Sequence, residues 1–224
     1  MNLKSLICYV VLGILLMGSG IVVSCDSFNE DLPECRLLVK FKYDYNMEFA
    51  DAFHAQVDKV ELYIFDKDGK FMFKQAEEGS ALSTGNYLME VELPVGQYQF
   101  MAWAGARDSY DITPLTPGVS TITDLKLKLK REASLIINKK METLWYGEII
   151  GVNFTGTEHQ TETINLIRDT KIVRFGFQSY TGTWTLDMND YDYEIIESNG
   201  HLGHDNSLQD DDVLLLYGAE RSCY

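Results

Sequence analysis

Basic residues are scarce in this chain: 19 Lys and Arg stand against 34 Asp and Glu over 224 residues, a formal net charge of −15. Such a surface excludes nucleic acid as a partner, because phosphate binding needs clustered cations. It also disfavours adhesion to anionic lipid head groups, and it reads as solubility at a cell surface. Proline is scarce too, at four residues, which excludes collagen-like and proline-rich disordered classes. No Gly-x-Ser-x-Gly elbow, phosphate loop or Cys/His nucleophile arrangement occurs. Nothing therefore marks an enzyme, and no cofactor, metal or small-molecule substrate is expected.

What is abundant is apolar and aromatic. Hydrophobic residues make up 46% and aromatics 12%, with 13 Tyr and 11 Phe, enough for a buried core and a bias towards strands. The first 24 residues stand apart, with Lys4 as their one charge and an apolar run from Leu6 to Val23. A positive start, an apolar run and small residues at its end describe a secretory signal. The run is long enough that an uncleaved membrane helix is the competing reading. The junction Ile21-Val22-Val23-Ser24-Cys25 decides for the signal. It resembles the lipobox of bacterial lipoproteins, in which the cysteine is acylated and becomes the new N-terminus. Val22 departs from the commoner Leu. Two or more acyl chains give stable anchoring where one is marginal. Cys25 is thus the expected lipidation site. Cys8 would leave with the signal, and Cys35 and Cys223 lie too far apart in sequence to argue a bridge. Residues 25–35, rich in acidic side chains and without periodicity, read as a tether.

Beyond the tether the sequence alternates with period two, as half-buried strands do. Leu37, Val39, Phe41, Tyr43 and Tyr45 share one face of an expected strand at 37–45. Val60, Leu62 and Ile64 define another at 57–66, and Asp66-Lys67-Asp68-Gly69-Lys70 turns the chain into a third at 71–77. Tyr87, Met89, Val91 and Leu93 form a further face, as do Tyr98, Phe100, Ala102 and Ala104 in 97–104, and Leu125, Leu127 and Leu129. Phe49, Phe53 and Val57, spaced by four, predict a short helix at 47–56. The first unit spans 36–131 and reads as an antiparallel sandwich. A second, at 132–224, offers strands at 134–138, 145–151, 161–168, 171–179, 183–188, 191–197 and 212–217, with a polar loop at 198–211. With no obvious closing strand, this second sandwich reads as incomplete.

Three groups of polar residues invite a chemical reading. Asp66-x-Asp68-Gly69 fails as a calcium loop, since Ile64 and Gln75 would fill the first and twelfth positions. His201, His204 and Asp205 have ligand chemistry but sit in the Gly-rich loop. Asp210, Asp211, Asp212, Glu194 and Glu197 would supply paired carboxylates, yet acidic residues are common throughout. Among the tryptophans, Trp184 shares a face with Leu186 and Met188, whereas Trp103 lies opposite the Tyr98/Phe100 face and is either exposed or covered by the second unit.

Residues 31–71 and 87–105 resemble the fimbrial anchoring subunits of Bacteroidales. The most specific stretch is Tyr43-Asp44-Tyr45-Asn46-Met47 followed by Phe49 and Phe53. Leu93-Pro94-x-Gly96-x-Tyr98 is shared more widely among transthyretin-like sandwiches, and Cys25-Asp26-Ser27 fits the family's lipidated start. The resemblance implies two transthyretin-like β-sandwich domains in a non-enzymatic lipoprotein. It would hold a major fimbrial shaft subunit at the outer membrane, on the cell surface, and limit the fimbria's length. It also implies that the strand at 36–45 fills its own sheet, while shaft subunits receive a donated strand. The competing reading is a surface glycan-binding lipoprotein, which predicts exposed Trp or Tyr in a row.

Overall fold

A computed structural model of the chain describes residues 35–157, 159–176, 180, 182, 187, 190, 191 and 194–218. The expected signal, Cys25 and most of the tether lie outside the described residues, as do Cys223, Trp184, Leu186 and Met188. The strands are β1 (Leu37–Lys42), β2 (Lys59–Asp66), β3 (Phe71–Glu78), β4 (Met89–Val91), β5 (Gly96–Ala104), β6 (Tyr110–Ile112), β7 (Leu127–Leu129), β8 (Ile136–Ile137), β9 (Trp145–Phe154), β10 (Gln160–Arg168), β11 (Ile195–Glu197), β12 (His201–Leu202) and β13 (Leu215–Tyr217). One α-helical turn, α1 (Phe53–Gln56), precedes β2. The all-β class expected from alternation is what forms.

Seven strands make one sheet in the order β3-β2-β5-β9-β10-β1-β4. Strand β10 changes partner along its length. Its Gln160–Asn165 segment runs parallel to β1, and Leu166–Arg168 pairs antiparallel with Trp145–Gly147 of β9. This lets the sheet fold over on itself. Leu37, Val39 and Phe41 of β1 and Met89 and Val91 of β4 then bury against Val60, Leu62 and Ile64 of β2 and Phe100, Ala102 and Ala104 of β5. Gly147 stands where β9 joins β10. A Cβ there would lie 2.8 Å from Ile164 Cγ2 and 2.9 Å from Ala102 Cβ, so glycine permits the close approach.

The opposite face of β2, β5 and β9 is also covered. Tyr63, Phe65, Met101, Trp103 and Tyr146 form a second core with Leu125, Leu127, Leu129, Leu202 and Leu215. Two three-stranded sheets supply that cover, β12-β7-β6 and β11-β13-β8. Burial on both faces explains why β2 is buried at every position but its ends. Glu61 is tolerated there because its carboxylate accepts from Lys74 Nζ at 2.9 Å and the Tyr63 hydroxyl at 3.1 Å.

Several expectations change. The strand at 37–45 ends at Lys42, and Tyr45 leaves the core face for solvent. The helix at 47–56 shrinks to four residues. Phe53 and Val57 are buried, but Phe49 is exposed. Residues 171–176 of the expected strand at 171–179 form no strand, and β6 and β12 arise where none was expected. Two pairings are parallel, β1 with β10 and β13 with β8. Residues Cys35–Tyr224 form one compact unit. Across the boundary expected at 131/132, β9 and β10 pair with β5 and β1.

Candidate anchoring site

The described chain begins at the point where a tether would join the fold. Cys35 is exposed, its thiol 2.6 Å from the Gly156 carbonyl. The Arg36 carbonyl accepts the Gln160 N–H at 2.9 Å, which starts the parallel ladder between β1 and β10. On its other side β1 pairs antiparallel with β4. Leu37, Val39, Phe41 and Tyr43 are all buried. The first strand therefore occupies its own place in the sheet, paired with β10 throughout and with β4 over Leu37–Val39, and a load on the chain upstream of Cys35 would meet that double ladder first.

The loop after β1 was expected to continue the strand and start a helix, and does neither. Asn46 donates through Nδ2 to the carbonyls of Tyr43 at 2.9 Å and Ala50 at 2.8 Å, and its Oδ1 accepts the Glu48 N–H. Asp51 accepts the backbone N–H groups of Tyr43 and Phe53. These bonds compete with both ladder and helix. They fix a loop from which Tyr45, Met47 and Phe49 project, 80%, 94% and 92% exposed. Phe49 has a φ of 53°, a strained conformation for a bulky side chain. The signal available in sequence was Asn46 and Asp51 interrupting the alternation.

The polar groups that invited a chemical reading are accounted for by structure. The Asp66 carboxylate accepts the N–H groups of Asp68 and Lys70, each at 2.9 Å, and Gly69 has φ 75°, so this is the hairpin turn. His201 is not in a solvated loop. It is buried in β12, with Nδ1 2.9 Å from Asp211 Oδ1. Asp205 accepts from the Ser207 hydroxyl, which holds its carboxyl below the usual range. Asp212 is enclosed. Burial pushes its pKa up, but the Arg131 guanidinium at 2.5 Å and the Gly200 N–H at 2.7 Å outweigh burial and lower it. Glu194 and Glu197 are exposed. Among the described residues, no three His, Cys, Asp or Glu side chains gather as a metal site. Trp103 is covered by the second core, edge-on to Tyr146, and Trp145 packs edge-on to Tyr43 in the first. Neither is available as a stacking platform.

One further cavity, of about 300 Å³, lies beside β6 and β7, lined by Tyr110, Leu127, Leu129, Asp169, Leu202 and Tyr217 among others. Asp169 Oδ1 accepts from Asn206 Nδ2 at 2.8 Å, while its Oδ2 is buried with no donor among the described residues. Burial pushes its carboxyl up to about 6.

Residues 32–220 match the model of the family described as fimbrillin-A associated anchor proteins Mfa1 and Mfa2. The chain is 25% identical over 199 residues to the minor fimbrium anchoring subunit Mfa2 of Porphyromonas gingivalis, covering 84% of this chain and 59% of that protein. It thus spans about three fifths of the length of the curated relative. A crystal structure from Bacteroides thetaiotaomicron, described provisionally as polysaccharide-binding, is similar at 90% identity and a TM-score of 0.80, over 82% of this chain and 64% of that one. The solved fimbrial anchor protein Mfa2 of P. gingivalis, at 22% identity and TM-score 0.61 over 84% of this chain and 67% of that one, shares the fold.

Proposed function

This chain belongs to the family of fimbrillin-A associated anchor proteins, and on that premise we propose that it is a lipid-anchored base subunit. It would hold a fimbrial shaft at the outer membrane through acyl groups on Cys25 and limit the shaft's length. The family is one of structural anchor subunits rather than enzymes. The observation that carries the reading is the position of β1. A subunit whose first strand pairs with β10 along its whole length and with β4 over Leu37–Val39, and is buried along one face, fills that place in its own sheet, which suits the member that ends a strand-donation chain. The tether from 25 to 35 then carries the mechanical load from that strand to the lipid.

The test compares the native protein with Cys25→Ala. Acyl mass and outer-membrane fractionation of the native chain, with fimbriae shed into the medium by the variant, are expected. Fimbriae that stay on cells whose anchor has lost its lipid would defeat the attachment reading.

The relative described provisionally as polysaccharide-binding keeps a second reading in play, glycan binding at the cell surface. Burial of Trp103 and Trp145 removes two of the aromatic platforms it would use. Saturable affinity of the purified protein for a polysaccharide would favour it.

A further inference from the structure

We propose that the loop 44–50 is a second membrane contact, with Tyr45, Met47 and Phe49 entering the interfacial layer of a bilayer. Three large apolar side chains, at every second position of one loop, are nearly fully solvated. An exposed apolar group of this size is about the largest that a typical monomer carries, and such a patch is often functional. The loop is preorganised by the Asn46 and Asp51 hydrogen bonds, so little conformational freedom is lost on contact. The φ of 53° at Phe49 is strain retained in the presentation of that ring.

Area and charge select the occupant. One Tyr, one Phe and one Met offer roughly 500 Å² together, short of the about 800 Å² per partner of a stable protein interface. A small apolar tip is sufficient where a tether already supplies a high effective concentration of bilayer. This rests on the anchoring reading, since the lipid on Cys25 is what brings a bilayer near. The ten residues from Cys25 to Cys35 reach at most about 33 Å when extended, more than the roughly 20 Å length of β1, so the loop at the far end of β1 is within reach of the same surface. Local charge permits the contact. Asp44 pairs with Lys42 at 2.5 Å, and the Asp51 carboxylate accepts two backbone N–H groups. Glu48 adds a carboxylate to a chain already at −15, so the contact is expected to weaken as the bilayer surface becomes more anionic.

The test uses the chain from residue 25 carrying Cys25→Ser, which contains the whole compact unit Cys35–Tyr224 and no acyl group. Failure of the loop and failure of the lipid anchor are then separate results. Flotation with phosphatidylcholine vesicles is expected, weakening when phosphatidylglycerol is mixed in. Met47→Asp and Phe49→Asp should each lower partitioning about tenfold or more with unchanged melting, Met47 being at a position that packs no core. Absence of flotation on phosphatidylcholine overturns the proposal, as does flotation that both variants retain. Loss of fimbria binding in these variants with vesicle binding intact also overturns it, and assigns the loop to a protein partner.

Discussion

Asp169 carries an unusual burden for one side chain. It accepts one hydrogen bond from Asn206, and its other oxygen is buried without a donor among the described residues. Burial raises its pKa from 3.8 to about 6. A carboxyl that binds its proton more tightly when folded favours the fold below its unfolded pKa, and that advantage is lost as pH rises through about 6. Above that pH the molecule holds a poorly solvated carboxylate at a constant cost. Asp169→Asn removes the ionisation and keeps an acceptor for Asn206. It should be near neutral at about pH 4 and stabilise by on the order of 2 kcal/mol at about pH 8. Urea unfolding at the two pH values reads the difference, and an equal effect at both would show that ionisation is not the cause. No local pattern marks Asp169 in the sequence, because its burial depends on Asn206, 37 residues away. Tyr45 misled in the opposite way. It continues the alternation of Leu37, Val39, Phe41 and Tyr43, yet it is exposed because the Asn46 and Asp51 side chains turn the backbone after Tyr43.

At the scale of elements, β1 is the strand on which the anchoring reading turns. Burying Leu37, Val39, Phe41 and Tyr43 contributes about 1.5–3 kcal/mol each, together comparable with the about 5–15 kcal/mol that stabilises a typical domain. A chain lacking residues 35–43 should therefore lose its cooperative melting and bind dyes that report exposed apolar surface. A synthetic peptide of residues 35–43 should restore the melting, because the slot between β10 and β4 dictates its register. A peptide with Val39→Asp should not restore it. Rescue by both peptides would mean that the slot does not read the strand's buried face. The strand itself was legible, as were β2, β3, β5, β9 and β10, since each is long enough to repeat its period. Strands β6 and β12, of three and two residues, are too short to show one. Of the pairings, the β2–β3 hairpin was legible from its turn, and the long-range ones were not. The partner of β1 lies more than a hundred residues downstream, and parallel alignment leaves no turn signal between them. For the same reason chain order does not reveal that β9, beyond the position 131/132, returns to β5.

For the whole molecule, the consequence is a middle layer shared between two cores. Strands β2, β5 and β9 send alternate side chains to opposite faces, so neither core can be lost without stripping one face of the same sheet. Trp145 reports on the first core and Trp103 on the second. Both indole N–H groups are buried with no acceptor among the described residues, so Trp→Phe at either site removes no hydrogen bond seen there, though it loses volume. Two proteins, one keeping Trp103 and the other Trp145, each otherwise lacking tryptophan through Phe substitutions that include Trp184, should each unfold in urea with fluorescence and circular dichroism midpoints that coincide. Coincidence of local and global probes is the mark of a two-state transition, and here it would mean that the shared layer couples the cores. Should the Trp103 signal change at lower urea than the circular dichroism while Trp145 follows the later step, the outer β6/β7/β12 and β8/β11/β13 sheets unfold as a separate unit. The folded sheet of β1–β5, β9 and β10 would then be the element able to stand alone and carry load from the tether.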